Sequence, residues 1–101
     1  MYIIHSHITQ HIMKTFNDLE FKPHPNVGMG IQARIQFDNG FGASVVKGPY
    51  TYGGDEGLYE LAVLDKTGDL TYDTPITNDV LGHLTEEGVT NILSQIQNLQ
   101  S

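Results

Sequence analysis

Between positions 30 and 46 apolar and polar residues alternate with a period of two. Ile31, Ala33, Ile35 and Phe37 point one way, and Gln32, Arg34 and Gln36 the other. After Asp38-Asn39-Gly40 the alternation resumes at Phe41, Ala43 and Val45. Asn and Gly accept the positive φ angles of a tight turn, so the pattern predicts a β-hairpin with one dry face and one wet face. Residues 58–65, Leu-Tyr-Glu-Leu-Ala-Val-Leu-Asp, are apolar on both faces, as in a central strand covered on each side. Lys66-Thr67-Gly68-Asp69 predicts a turn, and Leu70-Thr71-Tyr72 a short partner strand.

The period then changes. Val89, Ile92, Leu93, Ile96 and Leu99 recur at three- and four-residue steps and define one face of a helix centred on Ile92. Thr85 is a suitable N-cap, and Glu86 and Glu87 sit where the helix dipole favours negative charge. Neither sheet nor helix can bury its apolar side alone. The expected architecture is therefore α+β: an antiparallel meander of about four strands with the C-terminal helix packed on one face.

The connecting segments are marked by composition. Pro23 and Pro25 enforce an extended approach to the hairpin. Residues 48–57 hold four glycines and a proline, which predicts a long loop between strands. Residues 75–83 read as a connector with Ile76, Val80 and Leu81 tucked beneath it. Met13-Lys14-Thr15-Phe16 resembles a natural start, so residues 1–12 read as an N-terminal extension and 13–101 as a single domain. Within that extension Ile3, Ile8 and Ile12 fit a helical stripe continuing to Phe16.

Composition narrows the function classes. A chain of 101 residues without cysteine excludes disulfides and thiolate sites. No apolar run reaches the ~20 residues of a membrane span. The net charge is −7, and all five basic residues (Lys14, Lys22, Arg34, Lys47, Lys66) precede position 67. Beyond it lie Asp69, Asp73, Asp79, Glu86 and Glu87 without counter-charge. Phosphate backbones and anionic membranes repel such a surface, so the expected partner is a protein with a basic surface rather than a nucleic acid or a membrane. Self-association stays open. The same acidity also serves solubility alone.

Candidate chemistry is sparse. His5, His7 and His11 form H-x-H-x3-H, the weak metal candidate of this chain, with His24 or His83 as a further ligand. Asp65, Asp69 and Asp73 bracket a turn, and Asp55 and Glu56 sit among the loop glycines. Neither group has calcium-loop spacing. Ser44 lies in a strand pattern and not in a nucleophile elbow, and no glycine cluster ends in G-K-[ST]. No catalytic residue and no cofactor are assigned, and a binding protein is expected over an enzyme. Tyr50 and Tyr52 in the glycine-rich loop offer large, stiff contact surfaces, which Tyr59 and Tyr72 would extend across neighbouring strands. The candidate partner-binding set is Tyr50, Tyr52, Asp55, Glu56, Asp69, Asp73, Asp79, Glu86 and Glu87.

Asn39-Gly40-Phe41-Gly42-Ala43-Ser44-Val45-Val46, Gly57-Leu58-Tyr59-Glu60-Leu61-Ala62-Val63-Leu64, and Tyr72-Asp73-Thr74-Pro75-Ile76-Thr77 with Leu84-Thr85-Glu86-Glu87 resemble small proteins of tailed bacteriophages and prophages. The likeness covers about residues 13–99 and brings no catalytic signature. It implies a short acidic phage protein in the bacterial cytoplasm, where such proteins block host defence complexes by occupying basic surfaces. The expected function is inhibition of a host defence nuclease, in the manner of an anti-CRISPR protein, by protein–protein contact. The alternatives are a metal-dependent hydrolase using the histidines and loop acids, and a phage structural or assembly protein. A sponge for a signalling nucleotide is disfavoured by the shortage of Lys and Arg.

Overall fold

The computed structural model describes residues 12–100, so the helical stripe expected in the N-terminal extension lies outside the described residues. Five strands form one sheet: β1 (Lys22–Pro23), β2 (Ile31–Gln36), β3 (Gly42–Lys47), β4 (Tyr59–Leu64) and β5 (Leu81–Leu84). They follow one another in chain order, each antiparallel to its neighbour. The helix α1 (Glu86–Gln97) returns across one face. This is the expected α+β meander with one strand more.

Strand register explains the core. Ala33 stands opposite Val45, and Val45 opposite Leu61, while Ile35, Ala43 and Val63 form the next row. Because side chains alternate along each strand, these residues share one face. Val89, Leu93 and Ile96 of α1 close over it, all three fully buried. Phe16, Leu19 and Phe21 pack against the same cluster. The Phe16 ring meets Tyr59 edge-on at 5.1 Å between centroids, and Phe21 lies 5.5 Å from Tyr59. Thr85 caps α1 by accepting from the Gly88 N–H at 3.0 Å.

The sequence pattern needs correction at four places. The hairpin turn spans Asp38-Asn39-Gly40 as expected, with Gly40 donating to the Phe37 carbonyl and Phe37 to the Phe41 carbonyl, but Asn39 keeps negative φ and Gly40 alone in the turn is positive, at 96°. Leu70-Thr71-Tyr72 is no strand. It contributes an isolated bridge from Leu70 to Leu64 and a bond from the Thr71 N–H to the Val63 carbonyl. The partner of β4 is β5, drawn from the end of the expected connector, with a register shift between Tyr59 and Leu61. The buried centre of α1 is Leu93, with Ile92 only half-buried beside it.

Among the described residues no helix covers the second face of the sheet. Gln32, Arg34, Gln36, Ser44 and Glu60 share it with Ala62 and Leu64 by register. Arg34 donates to the Gly68 carbonyl, Gln36 to the Gly40 and Asp65 carbonyls, and Gln32 to Ser44 Oγ. Long polar side chains thus run across the face on which Ser44, Ala62 and Leu64 are buried. Asn39 joins the two layers at the turn. Its Nδ2 donates to the carbonyls of Ile96 and Leu99 at 2.8 and 3.1 Å, and its Oδ1 accepts from the Phe41 N–H. The turn is thereby tied to the last turn of α1 and to the residue just past its C-cap, Asn98.

Two substitutions test this arrangement. Gly40→Val places a β-branched residue at φ 96° and directs its Cβ to within 2.8 Å of Lys66 Cγ. It should cost about 1–3 kcal/mol, read as a lower denaturation midpoint at unchanged m-value. Leu93→Asp buries a carboxylate among Val45, Leu61 and Val63 and should abolish cooperative unfolding, whereas Gln95→Asp on the exposed side should leave the midpoint nearly unchanged.

Candidate functional site

The loop carrying Tyr50 and Tyr52 is built from short backbone turns. Gly48 donates to Thr51 Oγ1 at 3.0 Å, Gly54 to the Thr51 carbonyl at 3.1 Å, and Leu58 to the Gly53 carbonyl at 2.9 Å. A single 3-10 turn, Gly54–Glu56, carries Asp55 and Glu56. The loop docks on β5, where the His83 N–H donates to the Tyr52 carbonyl at 2.9 Å. Gly82 makes this approach possible, because any Cβ there would run into Tyr52 Cβ. A loop held in this way presents Tyr50 and Tyr52, 78% and 63% exposed, without having to be ordered first.

Antiparallel topology decides which candidates meet. The β3–β4 loop, the end of β5 and the start of α1 all lie at one end of the sheet. That end gathers Tyr50, Tyr52, Asp55, Glu56, Glu86 and Glu87, with His83 between loop and helix. The opposite end holds the 38–40 turn, the turn after β4 and the end of α1, joined by Asn39 and by Gly40 against Lys66. Asp69 therefore sits a full strand length from the tyrosines. Asp73 and Asp79 belong to the connector before β5, with Asp79 near enough to Glu60 to disfavour its charge.

The aromatic surface is smaller than the sequence suggests. Tyr59 is buried against Phe16 and Phe21, with Lys47 Nζ 4.9 Å from its ring centroid, so it cannot extend a contact face. Tyr72 is 44% exposed and lies beyond the Leu70 bridge.

The other acids mostly shape turns. Asp65 Oδ1 accepts from the Thr67 hydroxyl at 2.6 Å, the Thr67 N–H at 2.9 Å and the Asp69 N–H at 3.1 Å. The Thr67 hydroxyl bond is the main reason its carboxyl is held below the ordinary aspartate range. The Thr67 hydroxyl also bonds Asp69 Oδ2, and Asp73 takes its N–H to Thr71 Oγ1. Among the described residues no three of His, Cys, Asp and Glu converge on a metal position. His24 accepts from the Asn26 N–H through Nδ1, and His83 Nε2 faces Glu56 Oε1 at 3.5 Å. His5, His7 and His11 lie outside the described residues. A cleft of about 620 Å³ opens at the opposite end, between Lys14, Phe37, Asn39 and Gln97, whose polar groups are largely spent on structure.

Two residues of interest escape a reading by motif. His83 is the single non-glycine residue with positive φ among the described residues, at 55°, and the adjacent Gly82 is the only sequence hint of a bulge there. Glu60 stands among apolar strand residues. Burial first, and Asp79 second, push its carboxyl above the ordinary glutamate range. Compared with protein-family models, curated proteins and solved structures, the chain matches none. Among the described residues no helix is long and apolar enough to cross a membrane.

The Glu60 shift has a testable sign. A carboxyl whose folded pKa is raised favours the fold while protonated and loses that contribution as pH rises through the folded value. Glu60→Gln, which stays neutral, should melt higher than the parent at pH 7. The difference should disappear in melts taken below the unfolded glutamate pKa.

Proposed function

We propose that this chain is a small acidic binding protein of phage type that inhibits a host defence nuclease, such as a CRISPR effector, by covering a basic surface. One observation carries the reading: two exposed tyrosines on a backbone-tied loop share one end of the fold with Asp55, Glu56, Glu86 and Glu87. Those carboxylates have no Lys or Arg partner among the described residues, and Glu56 faces only the His83 imidazole. On a protein of net charge −7 they supply a field that steers a basic partner, while the tyrosines supply apolar anchors. The absence of a convergent donor set among the described residues gives the hydrolase reading no support of its own. Action in the bacterial cytoplasm follows from the same phage-type reading.

Charge and anchor separate kinetically. Neutralising Asp55, Glu56, Glu86 and Glu87 together should slow association with purified defence nucleases by roughly tenfold at low salt and flatten the salt dependence. Tyr52→Ala should instead speed dissociation. Surface plasmon resonance across a salt series resolves both effects. Asp69→Asn, at the other end of the sheet, serves as the charge control. Binding that survives both changes with unaltered rates would place the interface elsewhere.

A further inference from the structure

The left-handed backbone at position 83 does not need a histidine. Glycine enters the left-handed region most cheaply, and His83 sits there at φ 55° with its side chain 62% exposed. Its structural contribution is the backbone N–H bonded to the Tyr52 carbonyl, which a glycine would supply equally. The imidazole itself is directed at Glu56, with Nε2 3.5 Å from Oε1, and the Glu56 side chain is 65% exposed. Tyr52, through its carbonyl and through its contact with Gly82, is fixed beside the same bulge. The Glu56–His83 side-chain contact and the exposed Tyr52 thus share one tied stretch of backbone.

Resting on the binding reading above, we propose that Glu56, His83 and Tyr52 form a recognition element for an arginine side chain of the partner. A guanidinium presents a planar fork to a carboxylate and stacks on flat rings, whereas a lysine ammonium does only part of this. His83 acts as a positioning residue, its imidazole holding the Glu56 carboxylate until the guanidinium takes its place. Asp55, Glu86 and Glu87 at the same end add attraction that does not distinguish arginine from lysine. The selectivity therefore resides in the three-residue element and the steering in its surroundings.

Fluorescein-labelled hexa-arginine and hexa-lysine peptides, titrated by anisotropy at low salt, test the assignment. The intact protein should prefer the arginine peptide by about fivefold or more, as expected where a fork and a stacking face are both used. Glu56→Gln should bring the ratio close to one, and Tyr52→Ala should weaken the arginine peptide more than the lysine peptide. His83→Gly should lower the ratio severalfold while its melting temperature stays level or rises, an effect that a merely structural role would not produce. His83→Asn, which also tolerates the left-handed backbone, should behave like the glycine variant. Asp69→Asn should leave the ratio unchanged. Equal affinity of the intact protein for both peptides overturns this proposal and leaves the basic-partner reading standing. A preference undiminished in His83→Gly removes His83 from the element. Failure of the intact protein to bind either peptide overturns the basic-partner reading, and this proposal with it.

Discussion

A sheet of five short strands with one apolar face needs a lid, and α1 is the only helix among the described residues that can supply one. Leu61, Val45 and Val63 face Val89, Leu93 and Ile96 with no accessible surface on any of the six. Fully burying a side chain of this size is worth about 1.5–3 kcal/mol, against about 1 kcal/mol for a typical hydrogen bond. The loops and turns therefore refine a structure whose existence is decided by this contact. Its geometry also sets the direction of α1, which must run along the sheet to cover both rows.

That direction makes the two ends of the molecule unlike. At the end where α1 finishes, polar side chains are consumed in holding layers together: Asn39 on the Ile96 and Leu99 carbonyls, Gln97 on both backbone groups of Lys14. Midway along α1, Thr90 Oγ1 accepts from the Phe16 N–H, which fastens the N-terminal aromatic segment to the helix. Where α1 begins, the first-turn acids and the loop tyrosines stay free of such duties. The fold thus spends its amides at one end and leaves carboxylates and tyrosine rings exposed at the other, the end to which the binding proposal assigns the partner.

Much of this was legible in the sequence, and what was not has physical causes. β2, β3, β4 and α1 carry enough residues for a period of two or 3.6 to declare itself. β1 is two residues long, and β5 is four residues broken by a register shift at Gly82-His83, so neither displays a period. Leu70-Thr71-Tyr72 had the composition of a strand but meets only the end of β4, at Val63 and Leu64, while Leu81–Leu84 pairs with the stretch from Tyr59 to Leu61. Tyr59 could have been placed by parity, since it alternates with Leu61 and Val63 and so must share their buried face. The grouping of acids failed for a different reason. Charge counted along the chain takes no account of strand reversal, which sets Asp69 apart from Glu86 and brings Asp55 and Glu56 to the helix start instead.

The glycine-rich loop shows how rigidity and exposure can coexist. Glycines are usually associated with mobility, yet here they shorten distances: Gly82 admits Tyr52, and Gly53 lies against the His83 backbone. Each close approach replaces a side chain with a backbone contact and leaves the tyrosine rings as the parts that protrude. A contact surface that is already ordered loses less entropy on binding, which is the advantage such a loop brings to the proposed partner-binding role. The surrounding carboxylates act at longer range and chiefly on the rate of encounter. Under the binding proposal, affinity and association rate thus rest on different residues of one small end face, and each can change without disturbing the core that holds both.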